Sequence, residues 1–176
     1  MISVLIMANG DTEGLGATLA ALVPGVAAAV VREAIIIDCG EDRDAARVAE
    51  AVGASLVRAA DREAGWRDGV REAKGPWLML LKAGDVPTAN WIAVMERFLR
   101  REAGQTTGLW LGGSCMVPLA RLRHLAQGLL GRMPLGPRML LSKAHVVAGH
   151  RRPMMLPALP VAFEAAGQGH SSFRFS

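Results

Sequence analysis

A chain of 176 residues, 51% of them apolar and 20% charged, is long enough to bury one core and too apolar to stay disordered. With no Tyr and 4 Phe, that core has to be built mainly from Ala, Leu, Val and Met. Charge is lopsided: residues 1–105 carry 12 Lys/Arg against 15 Asp/Glu, whereas residues 106–176 carry 8 against a single acid, Glu164. Such asymmetry either invites an anionic partner (a phosphate, a nucleic acid or an acidic membrane surface) or is an Arg-rich solvated face.

The chain opens on Met-Ile-Ser-Val-Leu-Ile-Met with no basic n-region and soon meets Asp11 and Glu13, which reads as a first strand over 3–7 rather than a signal peptide. Leu15, Leu19 and Leu22 recur at helical spacing until Pro24-Gly25. Residues 34–38 form a short β-branched run ending in Asp38, as expected of a buried central strand. Ala45, Val48, Ala49 and Val52 predict a second helix closed by Gly53, followed by a strand over 55–57. Trp66, Val70 and Ala73 mark a third helix, and residues 77–81 a fourth strand that runs into Lys82-Ala83-Gly84-Asp85. Pro87-Thr88 is placed to start a helix carrying Trp91, Met95, Phe98 and Leu99.

Beyond residue 105 the pattern is weaker. Residues 109–117 read as a strand interrupted by Gly112-Gly113, and Pro118 opens an amphipathic helix with Leu119, Leu122, Leu125 and Leu129 inward. A strand follows over 138–141 with Ser142 as an N-cap, and 154–163 suits an edge strand because it holds Pro157 and Pro160. No window offers about 18 uncharged apolar residues, since 109–130 is broken by Arg121, Arg123 and His124. Cys39 and Cys115 have no CxxC spacing, which fits a reducing, cytoplasmic compartment. The strand–helix alternation argues an α/β fold with a mostly parallel sheet covered on both faces. Ligands of such sheets bind at the carboxyl ends of the strands, where the loops 8–14, 38–44 and 82–87 all fall.

The order of these segments resembles family-2-type glycosyltransferases of the GT-A fold. The strand and loop Val-Leu-Ile-Met-Ala-Asn-Gly-Asp stand where that family has a Pro-x-x-Asn-Glu loop, and Asp38-Cys39-Gly40-Glu41 resembles its Asp-Asp-Gly-Ser turn. Gly65-Trp66-Arg67-Asp68-Gly69 and Lys74-Gly75-Pro76-Trp77-Leu78-Met79-Leu80-Leu81 follow the family's spacing toward its metal-binding Asp-x-Asp. Pro87-Thr88-Ala89-Asn90-Trp91 resembles a family turn, and Leu129-Leu130-Gly131-Arg132-Met133-Pro134-Leu135-Gly136 is a fainter match. The likeness spans residues 2–100 and, weakly, 129–150.

The resemblance implies a Rossmann-like, three-layer GT-A sandwich, with residues 1–105 as a nucleotide-sugar-binding half, 106–165 as a short acceptor-side half of the same domain and 166–176 as a polar tail. It implies a nucleotide diphosphate sugar as ligand, sugar transfer with inversion to a lipid or polysaccharide acceptor, and Mn or Mg as the family's cofactor. An acidic membrane surface or a lipid-linked acceptor is the implied partner, with no nucleic acid, at a cytoplasmic site peripheral to the inner face of the membrane. The substrate-binding positions it marks are Asn9, Asp11, Asp38, Gly40, Arg67, Asp68, Lys82 and Asp85, with Asp85 either a remnant metal ligand or, more naturally, the turn residue of its loop.

Each position has a plainer role as well. Asp38 would hold a base or ribose, or cap the next turn; Asp11 and Glu13 would face the same crevice, or favour a helix N-terminus. Arg67 and Asp68 are equally at home as solvated helix charges. Cys39 reads as a small buried hydrophobe rather than a reactive thiol. The departures weigh more. Lys82-Ala83-Gly84 replaces the Asp-x-Asp, and an ammonium about 4 Å from a divalent ion repels it by roughly 8 kcal/mol at an effective dielectric of 20. That argues against an ordinary metal site; Lys82 would then either meet a diphosphate directly as a point charge or be a surface lysine in a turn whose function has been lost. No catalytic base is recognisable: Glu164 lies in no motif, and His124, His145 and His150 are more naturally surface or helix-end histidines. The rival readings are a catalytically silent GT-A module and a nucleotidyltransferase, the latter weak because Gly10-x3-Gly14-x-Gly16 contains no Lys or Arg.

Overall fold

Ile2–Met7 is buried at every position, which a strand achieves only when both faces and both edges are covered. It is β1, an interior strand of the sheet paired on both sides. The computed structural model describes residues 1–40, 43–101, 108–111, 135–148, 158–159 and 161–165. From β1 the chain continues through α1 (Thr12–Ala27), β2 (Val31–Asp38), α2 (Arg43–Val52), β3 (Ser55–Arg58), α3 (Arg62–Glu72), β4 (Trp77–Lys82), β5 (Asp85–Pro87) and α4 (Trp91–Arg101). It ends with β6 (Gly108–Leu111), β7 (Met139–Ser142), α5 (Lys143–Val147), β8 (Ala158–Leu159) and β9 (Phe163–Ala165).

Among the described residues the main sheet has seven strands in the order β3-β2-β1-β4-β7-β6-β8, and β5 pairs with β9 in a separate two-stranded ribbon. β3, β2, β1 and β4 are mutually parallel, β7 runs antiparallel to both β4 and β6, and β8 is parallel to β6. This is the mostly parallel, helix-flanked sheet expected. Strand alternation sends Val4, Ile6, Ile36, Met79 and Leu81 to one face, under Leu15 and Leu22 of α1, Ala49 of α2 and Trp91, Met95 and Phe98 of α4. Leu5, Met7, Ile35, Ile37, Leu78 and Leu80 face the other way, onto Trp66 and Val70 of α3 and Ala73 at its C-cap. Trp77 meets Phe98 edge-on at 4.8 Å, an arrangement aromatic quadrupoles favour.

Several boundaries differ from the sequence expectation. α1 continues past Pro24 to Ala27 and closes in a Schellman motif: Val30 N–H bonds the Gly25 carbonyl and Ala29 N–H that of Val26. The left-handed residue there is Ala29, at φ 55°. Gly25 has a packing role instead, because a Cβ on it would lie 2.3 Å from Trp91 Cη2. β2 begins three residues earlier than the apolar run, at Val31, through Arg32 and Glu33. Pro87 ends β5 rather than starting a helix; α4 begins at Trp91, after Thr88 N–H has bonded the Ala162 carbonyl. Ser142 stands at the N-cap of α5, but its hydroxyl makes no capping bond. Of the strand expected over 109–117, 109–111 is seen as part of β6; the helix from Pro118, the faint motif before Leu135 and the polar tail 166–176 lie outside the described residues. Of the edge strand expected over 154–163, β8 forms the sheet edge and β9 the ribbon.

Candidate functional site

The carboxyl ends of β1, β2 and β4 lie side by side, Met7 opposite both Ile37 and Lys82 in the ladders. Because β7 runs the other way, its first residue is at this same edge, with Met139 opposite Leu80. The β5–β9 ribbon branches from it directly after Lys82. Outside Ser3, the buried polar side chains among the described residues are Thr18, Asp38 and Asp85, and each holds a loop at this edge.

After β1, Ala8-Asn9-Gly10-Asp11 makes a tight turn with Asn9 at φ 53°, Gly10 at φ 73° and Asp11 N–H on the Ala8 carbonyl. Asn and Gly are the residues that adopt this left-handed pair most readily. Asn9 and Gly10 are exposed, and Asp11 caps α1, its Oδ1 accepting from Gly14 N–H at 2.8 Å. Thr18 joins this loop to the next: its hydroxyl donates to the Gly14 carbonyl at 2.9 Å and accepts from Gly84 N–H at 3.0 Å. The two loops touch so closely that a Cβ on Gly14 would lie 2.8 Å from Gly84 N. After β2, Asp38 is 2% exposed and accepts from Gly40 N–H at 2.9 Å, shaping the turn. Beside it the Cys39 thiol lies 3.6 Å from the Met7 sulfur. Burial, then the Asp38 and Asp61 carboxylates, push that thiol above its ordinary value, against a smaller pull from Arg62.

The loop after β4 is organised around Asp85, which is fully buried. Its Oδ2 accepts from Lys82 N–H at 3.0 Å, and its Oδ1 takes Arg138 Nε at 2.9 Å and Nη2 at 2.8 Å. Arg138 sits just before β7 at φ 61°, its N–H on the Leu80 carbonyl and its own carbonyl on Leu111 N–H. Its guanidinium lies 4.9 Å from the centre of the Phe163 ring on β9. Sequence reading missed Arg138; the signal was a lone Arg two residues after the faint 129–136 match and directly before an apolar run.

The structure thus brings Asn9, Asp11, Asp38, Gly40, Lys82 and Asp85 to one edge. Arg67 and Asp68 lie on α3, where Arg67 pairs with Glu63 and Asp68 with Arg71 along the helix surface. His145 lies after the end of β7, at the opposite, amino-terminal edge beside Trp77, whereas His124 and His150 lie outside the described residues. Glu164 is opposite Val86 in the ribbon, and strand alternation turns it away from the face that carries Phe163 and Asp85.

The donor set does not fit a divalent cation. Lys82 is an exposed ammonium, Gly84 has no side chain and sits at φ 84°, and the Asp85 carboxylate is turned inward onto a guanidinium. Among the described residues no group of three His, Cys, Asp or Glu could hold a metal ion. The reading of Asp85 as a remnant metal ligand therefore finds its carboxylate already engaged. Lys82, by contrast, makes no ion pair among the described residues.

No protein-family model matches the sequence, and no curated protein is significantly similar to it. Solved structures do match. Glucosyl-3-phosphoglycerate synthase from Mycobacterium tuberculosis, in complex with Mn2+, UDP and phosphoglyceric acid, superposes with a TM-score of 0.65 at 16% identity, covering 96% of this chain and 71% of that one. The same synthase with Mn2+, UDP and glucosyl-3-phosphoglycerate gives 0.59 at 18% identity, covering 82% of this chain but spanning 57% of that one. S. aureus TarS 1–349 gives 0.58 at 12%, covering 81% of this chain and 47% of that one. No helix among the described residues is long and apolar enough to cross a membrane. At these identities the likeness speaks for architecture, and the architecture of this chain is the GT-A glycosyltransferase-like fold.

Proposed function

We propose that this chain binds a nucleotide diphosphate sugar across the carboxyl ends of β1, β2 and β4. The observation that carries the reading is the convergence of three shaped loops, at Asn9-Gly10, Asp38-Gly40 and Lys82-Asp85, on one edge of a GT-A-like sheet. UDP or UDP-glucose is bound in several of the synthase structures the chain resembles, which supports that class of ligand. Asp38 would take the ribose or base. Lys82 would face the diphosphate as a point charge without Mn or Mg, since the donor set disfavours a divalent ion.

Carried to chemistry, the reading is sugar transfer with inversion to a lipid or polysaccharide acceptor. The basic 106–176 portion would then approach an acidic membrane surface at a cytoplasmic, peripheral site. A second reading, a catalytically silent binding module, is favoured by one observation: neither Glu164 nor His145 faces the strand-end loops. Calorimetric titration with UDP, GDP and their sugars tests the ligand class. Micromolar binding weakened several-fold by Lys82→Ala is the expected result, and no binding of any nucleotide would refute it. Release of free sugar from a bound donor would separate the transferase from the silent module.

A further inference from the structure

The loop where the GT-A resemblance expects metal-binding acids holds a fixed organic cation instead. Arg138 is anchored at its backbone, at one edge of its guanidinium and on one face. Its backbone is bonded to Leu80 and Leu111, one edge of its guanidinium grips the buried Asp85, and one face lies against Phe163. The side chain is nonetheless 43% exposed. A guanidinium has five N–H donors, and Asp85 engages only those on Nε and Nη2. Asp85 leaves the remaining donors unused, and Lys82 is exposed at the same strand-end edge. Such a planar donor array matches phosphate oxygens in pairs, and because its rotamer is already set, little side-chain entropy is lost on binding.

We propose that Arg138, positioned by Asp85 and Phe163, holds the diphosphate of the nucleotide in place of a divalent cation, so that binding at this edge is independent of metal. The proposal rests on the nucleotide-binding reading above and deepens it. Asp85 is then a positioning residue: its carboxylate aims the guanidinium and does not touch ligand. Lys82, on the neighbouring loop, adds a second positive charge from a mobile stem, so the two contribute separately. Three engaged groups (Asp85, Arg138 and Lys82) leave a formal surplus of one positive charge, complementary to a phosphate anion.

The test is calorimetry with UDP, GDP and inorganic pyrophosphate, each in excess EDTA and again with Mn2+. Proteins compared are the wild type, Arg138→Lys, Lys82→Ala and the double variant Asp85→Asn/Arg138→Asn. The double variant avoids stranding a buried charge, and circular dichroism checks its fold. Expected are wild-type affinities that change less than two-fold between EDTA and Mn2+, a ten-fold or greater loss in the double variant, and a smaller loss in Arg138→Lys. Pyrophosphate should lose affinity in parallel with the nucleotides, because the contact is to phosphate. Binding that requires Mn2+, or a folded double variant that binds as tightly as wild type, overturns the role of Arg138 while leaving nucleotide binding intact. A wild type that binds no nucleotide under either condition overturns both.

Discussion

Cutting the Asp85–Arg138 pair from its two ends should have unequal costs, because the partners are unequally buried. Asp85 is 0% exposed and Arg138 43%. In Arg138→Asn the new side chain tolerates the left-handed backbone at φ 61°, so strain adds little. The carboxylate, however, stays in the interior with the Lys82 N–H as its remaining bond, and an uncompensated buried charge of that kind costs about 3–5 kcal/mol. In Asp85→Asn the shape is kept, but the amide has one oxygen for two sets of donors, so its NH2 meets either the Lys82 N–H or the guanidinium; with no buried charge left behind and Arg138 free to hydrate at the surface, the cost is about 1–3 kcal/mol. The double variant should lose about 1–3 kcal/mol less than the sum of the singles, since each single strands what the other removes. Urea unfolding followed by far-ultraviolet circular dichroism measures all three, provided the denaturant slope is unchanged. An Asp85→Asn protein as unstable as Arg138→Asn, or strict additivity, refutes the argument that burial of the carboxylate sets the cost.

Other expectations follow from local geometry. Gly65→Ala would place a Cβ 2.6 Å from Ile37 Cγ2 and should destabilise by about 1–3 kcal/mol, while Gly16→Ala, with no atom within 4 Å, should stabilise by about 0.5–1 kcal/mol; thermal melts of the two report opposite shifts. Ala29→Gly should stabilise modestly, by about 0.5 kcal/mol in the same melts, because the position sits at φ 55° and the gain outweighs the added freedom of the unfolded chain. Glu33 supplies a pH dependence. Burial alone raises its carboxyl, but the Ser3 hydroxyl, the Lys74 N–H and the charges of Lys74 and Arg32 outweigh this and hold it below its ordinary value. A lowered folded value means that its stabilisation is fully present above the ordinary glutamate range and is lost as pH falls through the folded value. Urea midpoints for wild type and Glu33→Gln should therefore differ at pH 7 and converge as pH falls below the ordinary glutamate range and through the folded value; a constant gap contradicts the assignment.

Where the chain's instructions are local, the sequence was legible. The apolar runs of β1, β2 and β4, the stripe Trp66, Val70 and Ala73, and the turn residues Asn9 and Gly10 each announce their structure within a window of a few residues. Misreadings came where one residue type answers to two causes. Gly25 looked like a helix terminator, but a tryptophan 66 residues later requires its missing side chain. Pro87 looked like a helix start, yet it closes a strand whose partner is Phe163. The candidate site shows the same division. Asp38, Lys82 and Asp85 could be placed at strand ends from spacing alone, but the 53-residue separation of Asp85 and Arg138 left no local trace, nor did the outward pairing of Arg67 and Asp68 on α3.

The ribbon of β5 with β9 and the contact of Asp85 with Arg138 also bear on how the molecule is born. A ribosome adding roughly 5–20 residues each second releases β1 through β4 first, and that segment can begin to collapse as a unit. Asp85 then waits about 3–10 s for Arg138, 53 positions downstream, and longer for Phe163. During that interval the nascent chain has a sheet but an unfinished rim. The strand-end loop after Lys82 is thus late to set, and a nascent chain stalled before residue 138 would carry the parallel β3-β2-β1-β4 part of the sheet without β7 and without its anchored cation.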